Sequence, residues 1–327
     1  MSEKRIRAVH SRAIRIVSQS HGIPFSKGLL AQSLTATGLP PDRAYQVAMS
    51  VESRLREEGV YDIGVVDLQE KVGGVLAEME GPEYLRRYRK WHHLGQQDRP
   101  LIVLIGGATG VGKSTIASQI ANRLGIVRTI STDAIRQVMR TFFSAALMPA
   151  IHYSSFDAGA AIRVPVGKKL NPNLVAFVEQ VEMVTVGVRA VVDRAIDEGT
   201  AMVVEGVHLV PGFIPMEDWE KALVLHMIVA VKDTDLHRSH FLVRDRETDG
   251  RRPFIRYLEH FDGIRRIQDF ILARAEEEGT LVIDNVNVDD AVGLVVDALY
   301  DLIARQDSSL AGAALVEAGE GGSNRRG

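Results

Sequence analysis

The stretch 101–125, LIVLIGGATGVGKSTIASQIANRLG, constrains the fold of this chain more than any other feature. It opens with six residues of which five are apolar, passes through four glycines, and ends in a helix-like run. The spacing Gly107-x4-Gly112-Lys113-Ser114 fits the pattern G-x-x-x-x-G-K-[ST] in the strand–loop–helix context that a phosphate-binding loop requires. The sequence therefore predicts a loop that encloses the phosphates of a nucleotide, and we call residues 107–114 the P-loop.

Each residue type in the P-loop has a physical task. Glycines allow consecutive backbone N–H groups to turn toward a phosphate, and the following helix adds its positive end. Lys113 is expected to reach the β- and γ-phosphates as a catalytic cation, and the hydroxyl of Ser114 is expected to hold Mg²⁺. The predicted cofactors are thus ATP and Mg²⁺, and the predicted nucleotide-binding residues are Gly107, Thr109, Gly110, Val111, Gly112, Lys113, Ser114 and Thr115.

Between about residues 91 and 305, short apolar runs alternate with helical stretches. The runs LIVLIG, GIVRTIS, TAMVVEG, LVLHMIVAV and TLVID are rich in Val and Ile. Such alternation predicts an α/β fold, a P-loop kinase-like parallel sheet flanked by helices, with its active groups at the carboxyl ends of the strands. Residues 1–90 show apolar positions at three- and four-residue spacing, which predicts a small, mainly helical domain. Residues 306–327 are small and polar and are predicted to form a disordered tail.

Composition excludes several classes of function. The chain of 327 residues has no cysteine, so it has no disulfide, no zinc–thiolate site and no cysteine nucleophile. Its formal charge of −3 gives no broad attraction for nucleic acid or for anionic membranes. No apolar run approaches the ~20 residues of a membrane span. We therefore expect a cytoplasmic protein with a small anionic substrate and neither nucleic acid nor membrane as partner; the oligomeric state, including a homo-oligomer, stays open.

Asp133 is the first candidate for the chemistry of transfer. It directly follows a predicted strand, so its carboxylate is expected near the terminal phosphate, where it would orient an acceptor hydroxyl and take its proton. The alternative is that Asp133 only favours the start of a helix that Thr132 caps. Arg136 and Arg140 share a helical face with Asp133 and are candidates for binding an anionic acceptor; the alternative is a solvated helix face.

Two further segments supply candidate acceptor contacts. Glu205 ends the run TAMVVEG at the edge of the sheet, and His208 follows two residues later. The segment IHYSSFDAG is not periodic and offers His152 and Ser154 as donors. For each, a purely structural role is the open alternative, and the same holds for Lys168 and Lys169.

The stretch 237–266 contains eight arginines, and Asp249-Gly250 marks a turn within it. This pattern predicts a helical lid over about 235–270 that brings guanidinium groups onto the transferring phosphate. Arg244 and Arg246 are the catalytic candidates, and Arg251 and Arg252 are candidates for binding substrate. A surface helix pair with internal ion pairs is the alternative. His237 and His240 have the H-x-x-H spacing of some metal sites, but no third ligand accompanies them.

The combination of LIGGATGVGKSTIASQIANRLGI, ISTDAIRQVMR, HYSSFDAG, VVEGVHLVPG and the arginine-rich pair resembles the 2-phosphoglycerate kinase family. The P-loop itself occurs in many families, and the stretches TDAIRQVMR and EGVHLVPG are the ones that carry the resemblance to this family. Residues 1–90, from PFSKGLLAQSLTATGL to YLRRYRKWH, resemble the ATP-cone, a small regulatory nucleotide-binding module. The resemblance covers nearly the whole chain except the tail. It implies a phosphotransferase with an alcohol acceptor, which phosphorylates the free hydroxyl of 2-phosphoglycerate with ATP to give 2,3-bisphosphoglycerate.

The residues alone lead only to a kinase for an anionic small molecule. Two alternatives stay open at this stage: a regulatory P-loop protein that senses a nucleotide without phosphorylating an acceptor, and a kinase that acts on a different anionic metabolite. A kinase for nucleic-acid ends is disfavoured, because the overall charge balance of the chain is acidic.

Overall fold

The computed structural model describes residues 13–18, 21–94, 99–163, 167, 170–247 and 253–320. The chain divides into two compact units, Met1–Gln96 and Gln97–Gly327. Arg251, Arg252, Lys168, Lys169 and the Asp249-Gly250 turn lie outside the described residues. No helix in the described ranges is both long enough and apolar enough to cross a membrane.

The described residues of the first unit form four helices and a small sheet. Its elements are β1 (Arg15–Ser18), β2 (His21–Pro24), α1 (Lys27–Thr35), α2 (Pro41–Glu57), β3 (Asp62–Gly64), α3 (Val65–Glu80) and α4 (Pro82–Leu94). β1 pairs antiparallel with β2 and parallel with β3. The four helices agree with the periodicity of the sequence. The strands, of three or four residues each, are too short to give a periodic signal, which is why the sequence did not predict them.

The second unit is the expected α/β domain. Its elements are β4 (Leu101–Gly106), α5 (Lys113–Leu124), β5 (Arg128–Ser131), α6 (Thr132–Phe142), α7 (Pro172–Asp197), β6 (Met202–Gly206), β7 (Leu223–Ala230), α8 (Thr234–Glu247), α9 (Phe254–Glu259), α10 (Phe261–Glu277), β8 (Leu281–Asp284) and α11 (Val288–Glu320). The sheet is parallel throughout, in the order β5-β6-β4-β7-β8. The predicted fold class and all five predicted strands are confirmed.

β4 is the central strand, and this explains its composition. All six of its residues are buried, because helices cover both faces of the sheet and strands flank it on both sides. The P-loop follows its last residue, Gly106, between the ends of β6 and β7. In register, Glu205 of β6 pairs with Ile105 of β4 and with Ser131 of β5. The topology therefore brings the P-loop, Glu205 and the start of α6 to one edge of the sheet.

The carboxyl-terminal boundary differs from the expectation. α11 continues to Glu320, past residue 306, at which the composition of the sequence predicts the start of the tail. Alanine and leucine in SSLAGAALVEAGE are good helix formers, which gives the physical reason for the extension. Disorder of this segment stays a prediction.

α7 provides a test of how much its buried side chains contribute to the stability of the second unit. Phe177 is fully buried in α7, with its ring 6.3 Å from that of Phe270 in α10. We expect Phe177→Ala to lower the free energy of unfolding by about 3–5 kcal/mol, since a large cavity would form. Val186→Ala, on the same helix but 69% exposed, should change it by less than about 0.5 kcal/mol. Urea unfolding of the intact chain, followed by circular dichroism, measures both; equal effects of the two variants would contradict this account.

Candidate active site

The P-loop backbone adopts conformations that require its glycines. Gly107, Gly110 and Gly112 have φ values of +140°, +85° and +89°. L-residues that carry a Cβ atom rarely adopt such values. A Cβ atom at Gly107 would lie 2.1 Å from the carbonyl oxygen of Val229, so the loop also passes too close to β7 for any larger residue. α5 begins at Lys113, so the last two residues of the P-loop form the start of the helix, and its N-terminal amide groups face the loop's interior.

Lys113 is buried inside the loop that it serves. Only 8% of the residue is exposed, and Nζ donates a hydrogen bond to the carbonyl oxygen of Ala108 at 2.7 Å. Burial lowers the pKa of Lys113, while the nearby carboxylates of Glu205 and Asp133 act to raise it. A neighbouring anion strongly stabilises a cation that is removed from water in this way, and a nucleotide phosphate is such an anion.

Ser114 and Glu205 form an oxygen pair beside Lys113. The hydroxyl of Ser114 donates to Oε1 of Glu205 at 3.1 Å, across the gap between α5 and the end of β6. A hydroxyl and a carboxylate are hard oxygen ligands, and Mg²⁺ at nucleotide sites commonly takes only one or two ligands from the protein. The donor chemistry of this pair thus fits a magnesium ion that also binds the nucleotide.

Asp133 lies in the first turn of α6 but does not cap it. The cap is Ser131, whose hydroxyl accepts from the amide of Ala134 at 3.1 Å, so the alternative in which Thr132 caps the helix is wrong in that respect. The carboxylate of Asp133 instead accepts a hydrogen bond from Nε of Arg136 at 3.2 Å. Desolvation opposes ionisation, but the neighbouring cations Arg136 and Lys113 favour it, and the pKa of Asp133 lies below its ordinary value. The side chain of Asp133 is therefore an ionised carboxylate, and it lies at the same edge of the sheet as Lys113.

Arg136 ties the segment after α6 to that helix. Its Nη1 donates to the carbonyl oxygens of Ile151 and Tyr153 at 2.8 and 3.0 Å. The structure therefore gives Arg136 contacts that hold the protein together, besides its charge next to Asp133. Ser154 follows at once in the chain, and its hydroxyl accepts from Nη2 of Arg256 in α9 at 3.2 Å. The result is a continuous series of contacts from Asp133 through Arg136 and Ser154 to Arg256.

His208 does not present a nitrogen to a ligand, which corrects the expectation that it binds substrate. It is fully buried, with Nδ1 2.7 Å from the hydroxyl of Thr132 and Nε2 3.0 Å from Oε1 of Gln180. Since Gln180 uses its amide nitrogen for the carbonyls of Ala150 and Tyr153, its oxygen must accept from His208. Burial lowers the pKa of His208 to about 3, so the ring is neutral and holds α6 and α7 together.

Three relatives resemble this chain over most of their length. A 2-phosphoglycerate kinase of Methanopyrus kandleri is 39% identical, over 91% of this chain and 90% of that protein. One of Methanothermobacter thermautotrophicus is 42% identical over 84% and 90%, and one of Thermococcus kodakarensis 39% identical over 84% and 92%. The chain belongs to the 2-phosphoglycerate kinase family. It is accordingly a P-loop phosphotransferase for which ATP is the co-substrate.

Family models and solved structures add little to the assignment that the relatives give. No family model matches the chain. A solved structure of shikimate kinase from Acinetobacter baumannii is 13% identical and covers 64% of this chain and 97% of that one, with a TM-score of 0.37. Likeness at this level carries no weight for function, and the fold assignment rests on the sheet topology itself.

For a member of the 2-phosphoglycerate kinase family, the remaining candidates divide into two groups. Arg244 is half-buried with its guanidinium 5.8 Å from the ring centre of Tyr257, and Arg246 is exposed near the end of α8. Their contact with phosphate stays a prediction. Arg140 donates to Gln137 within α6, and His152 bonds the carbonyl of Phe143 through Nε2, so both contacts are with the protein itself.

The H-x-x-H pair has a contact that the sequence did not reveal. His237 and His240 in α8 lie within hydrogen-bond distance of the carbonyl oxygens of Thr109 and Gly110 in the P-loop. Within the described residues, no group of three or more metal-binding side chains accompanies them. The spacing therefore places two imidazoles against the loop, one helical turn apart.

Sequence reasoning missed Gln180, Arg256 and Asn285. Gln180 had a usable signal, because it falls on the helical face shared by Phe177 and Val181, where a polar residue is unexpected. Asn285 directly follows β8 and donates to the carbonyl of Val111 at 2.9 Å. Arg256 gave no signal that separated it from the other arginines of the stretch, since only the fold brings it to Ser154.

Three buried histidines make the stability of this protein depend on pH. Desolvation lowers the pKa of His208 to about 3 and those of His226 and His237 to about 4, against an ordinary 6.5. The unfolded chain therefore binds protons first as the pH falls. The neutral rings make their full contribution to the free energy of unfolding above about pH 6.5. This contribution is lost as the pH falls toward 4, by up to about 1.4 kcal/mol per pH unit for each ring.

His226→Gln tests this dependence, because glutamine retains a donor for the carbonyl of Leu209 but does not titrate. We expect the unfolding free energy of the variant to fall less steeply between pH 6 and pH 4. Urea unfolding at each pH gives the slopes, with Val186→Ala as the control that titrates as the wild type does. Parallel curves for the wild type and His226→Gln would contradict the assignment.

Proposed function

We propose that this chain transfers the γ-phosphoryl group of ATP to the free hydroxyl of 2-phosphoglycerate and so forms 2,3-bisphosphoglycerate. The observation that carries the proposal is the meeting of Lys113, Ser114 and Asp133 at one sheet edge, with Arg136 beside the acid. A nucleotide site and a carboxylate for the acceptor hydroxyl thus lie side by side. The relatives named 2-phosphoglycerate kinase supply the identity of the acceptor.

The P-loop and α5 bind the triphosphate. Backbone amides from Gly107 to Ser114 face the phosphates, and Lys113 leaves the carbonyl of Ala108 to neutralise the β- and γ-phosphates. Thr115 adds a further phosphate contact. Ser114 and Glu205 would hold Mg²⁺, which supplies charge neutralisation to the phosphates when bound.

Asp133 acts on the acceptor. The hydroxyl oxygen of the acceptor forms a bond to the γ-phosphorus while the bond from that phosphorus to the β–γ bridging oxygen breaks, and ADP leaves with that electron pair. The hydroxyl proton passes to the carboxylate of Asp133, whose ionised state its lowered pKa supports. Positioning and charge therefore supply most of the catalysis that this chain performs.

The acceptor carries a carboxylate and a phosphate, and the residues around Asp133 suit both. Arg136 contributes its charge, and Ser154 with Arg256 contributes a hydroxyl and a second guanidinium within hydrogen-bond distance of each other. We further propose that Arg140 and His152 border this region. The lid arginines, namely Arg244, Arg246, Arg251 and Arg252, close over the transferring phosphate.

The first unit has a separate proposed role. We propose that it is an ATP-cone-like regulatory module, and its compact arrangement of four helices and a three-stranded sheet supports an independent domain. Lys27 and Arg43, two cations of this unit, each pair with a carboxylate at 2.7 Å, Glu52 and Glu80 respectively. We therefore assign no nucleotide-binding residues there. The proposed location is the cytoplasm, with a small anion as the partner.

A screen of acceptors tests the proposed reaction. Release of ADP is measured with 2-phosphoglycerate, 3-phosphoglycerate, glycerate, phosphorylated sugars and nucleosides, and the product is identified by ³¹P NMR. We expect 2-phosphoglycerate to give the largest kcat/KM and 2,3-bisphosphoglycerate as product. Lys113→Ala should lower turnover by at least ~10²-fold, and Lys221→Ala, an exposed lysine of the same unit, should not. Faster turnover of another acid would replace the acceptor, and ADP release without any acceptor dependence would favour the nucleotide sensor.

Asp133→Asn separates binding from transfer. We expect the variant to bind ATP with a Kd within about twofold of the wild type, while kcat falls by about 10²–10⁴-fold because the proton acceptor is lost. Isothermal titration with ATP and steady-state kinetics provide the two quantities. Asp235→Asn is a matched control, since Asp235 also lies in the first turn of a helix and also pairs with the arginine three residues on. If kcat of Asp133→Asn were unchanged, Asp133 would have only a structural role.

A further inference from the structure

Four consecutive carbonyl groups of the P-loop are each bound by a side chain. Lys113 donates to the first, that of Ala108, at 2.7 Å. The next three are bound from outside the motif: His237 Nε2 is 2.8 Å from the oxygen of Thr109, His240 Nδ1 is 2.9 Å from that of Gly110, and Asn285 Nδ2 is 2.9 Å from that of Val111. We call His237, His240 and Asn285 the carbonyl clamp.

The donor atoms of the clamp follow from the acceptors. A carbonyl oxygen only accepts, so Nε2 of His237 and Nδ1 of His240 must each carry a hydrogen. On the other side of His237, Nη1 of Arg265 approaches Nδ1 at 3.4 Å, and a guanidinium only donates. His237 is therefore neutral with its hydrogen on Nε2, in agreement with a pKa that burial lowers to about 4. For Asn285, the opposite orientation of the side-chain amide would place Oδ1 against the carbonyl oxygen of Val111, so Nδ2 is the atom that faces it.

α8 docks on the P-loop through residues that share one helical face. His237, His240 and Phe241 are three and four residues apart, which brings them to the same side of the helix. The ring of Phe241 occupies the space where a Cβ atom of Gly110 would be, 2.3 Å from Cζ. It stacks on His237 with ring centres 5.3 Å apart and on Tyr257 at 4.8 Å. The clamp thus rests on a packed aromatic support.

We propose that His237, His240 and Asn285 are positioning residues that hold the P-loop carbonyls away from the phosphates, so that the loop's amide groups face them. A peptide group directs its oxygen and its hydrogen to opposite sides, and an oxygen turned inward would repel a phosphate. Fixing each oxygen outward therefore aligns the neighbouring donors before the nucleotide arrives. The inference rests on the nucleotide-binding part of the proposed function and is independent of the identity of the acceptor.

α8 connects the clamp with the predicted lid. Arg244 lies four residues after His240 on the same helix and therefore on a neighbouring part of its surface. The helix that carries this arginine is the same helix that shapes the phosphate site. Affinity for the nucleotide phosphates consequently depends on α8 remaining docked against the P-loop.

Leucine substitutions test the clamp, because leucine fills a similar space without donating a hydrogen bond. For His240→Leu and Asn285→Leu, we expect the Kd of ADP and of ATP to rise about three- to tenfold, as the loss of one hydrogen bond to the loop predicts. The Kd of adenosine, which has no phosphate, should stay the same. Isothermal titration without any acceptor measures all three ligands, with Ser239→Ala on the exposed face of α8 as the matched control.

Conservative variants provide the rescue. The amide nitrogen of asparagine occupies the place of Nδ1 of histidine, and that of glutamine the place of Nε2, so His240→Asn and His237→Gln should bind ADP as the wild type does. In kinetics, His240→Leu should raise KM for ATP and leave KM for the acceptor unchanged. A folded His240→Leu with wild-type affinity for ADP would overturn the proposal. An equal loss of adenosine and ADP binding would also overturn it, since that result indicates general damage to the site.

Discussion

The orientation of the peptide groups from Gly107 to Gly112 is the constraint on which the active site depends. A phosphate can bind there only if amide hydrogens face inward, and the positive φ values at three glycines permit that arrangement without enforcing it. The close approach of Val229 to Gly107 and of Phe241 to Gly110 fixes the path of the loop. Side chains from α8 and from the end of β8 then bind its carbonyl oxygens.

A second polar network lies next to Asp133. Thr132, His208 and Gln180 form a buried chain of hydrogen bonds that joins the start of α6, the loop after β6 and the middle of α7. Gly206 is necessary to this arrangement, because a Cβ atom there would lie 1.9 Å from the hydroxyl of Thr132. Asp133 follows Thr132 directly, so the position of the carboxylate depends on a network of fully buried side chains. Fully satisfied buried polar groups of this kind make an arrangement unique.

The sequence predicted the sheet and the P-loop well, because both depend on local patterns. Apolar runs rich in Val and Ile gave all five strands of the second unit, and the glycine spacing gave the loop. Its predictions were weaker for single side chains. His208 was expected to bind substrate, and the alternative for Asp133 had Thr132 as the cap of α6, yet the two side chains bind each other in the core. A histidine in a loop has the same sequence appearance whether it is buried or exposed, since burial depends on what packs over it.

The sequence by itself determined the fold class, the nucleotide loop with Lys113 and Ser114, and the placement of Asp133 and Glu205 at strand ends, because short-range spacing controls these features. Only the tertiary structure decided which distant side chains complete the site. His237, Asn285 and Arg256 are separated from their partners Thr109, Val111 and Ser154 by more than a hundred residues of chain. Such pairs form only when strand order and helix packing close the intervening loops, and no local pattern records that outcome.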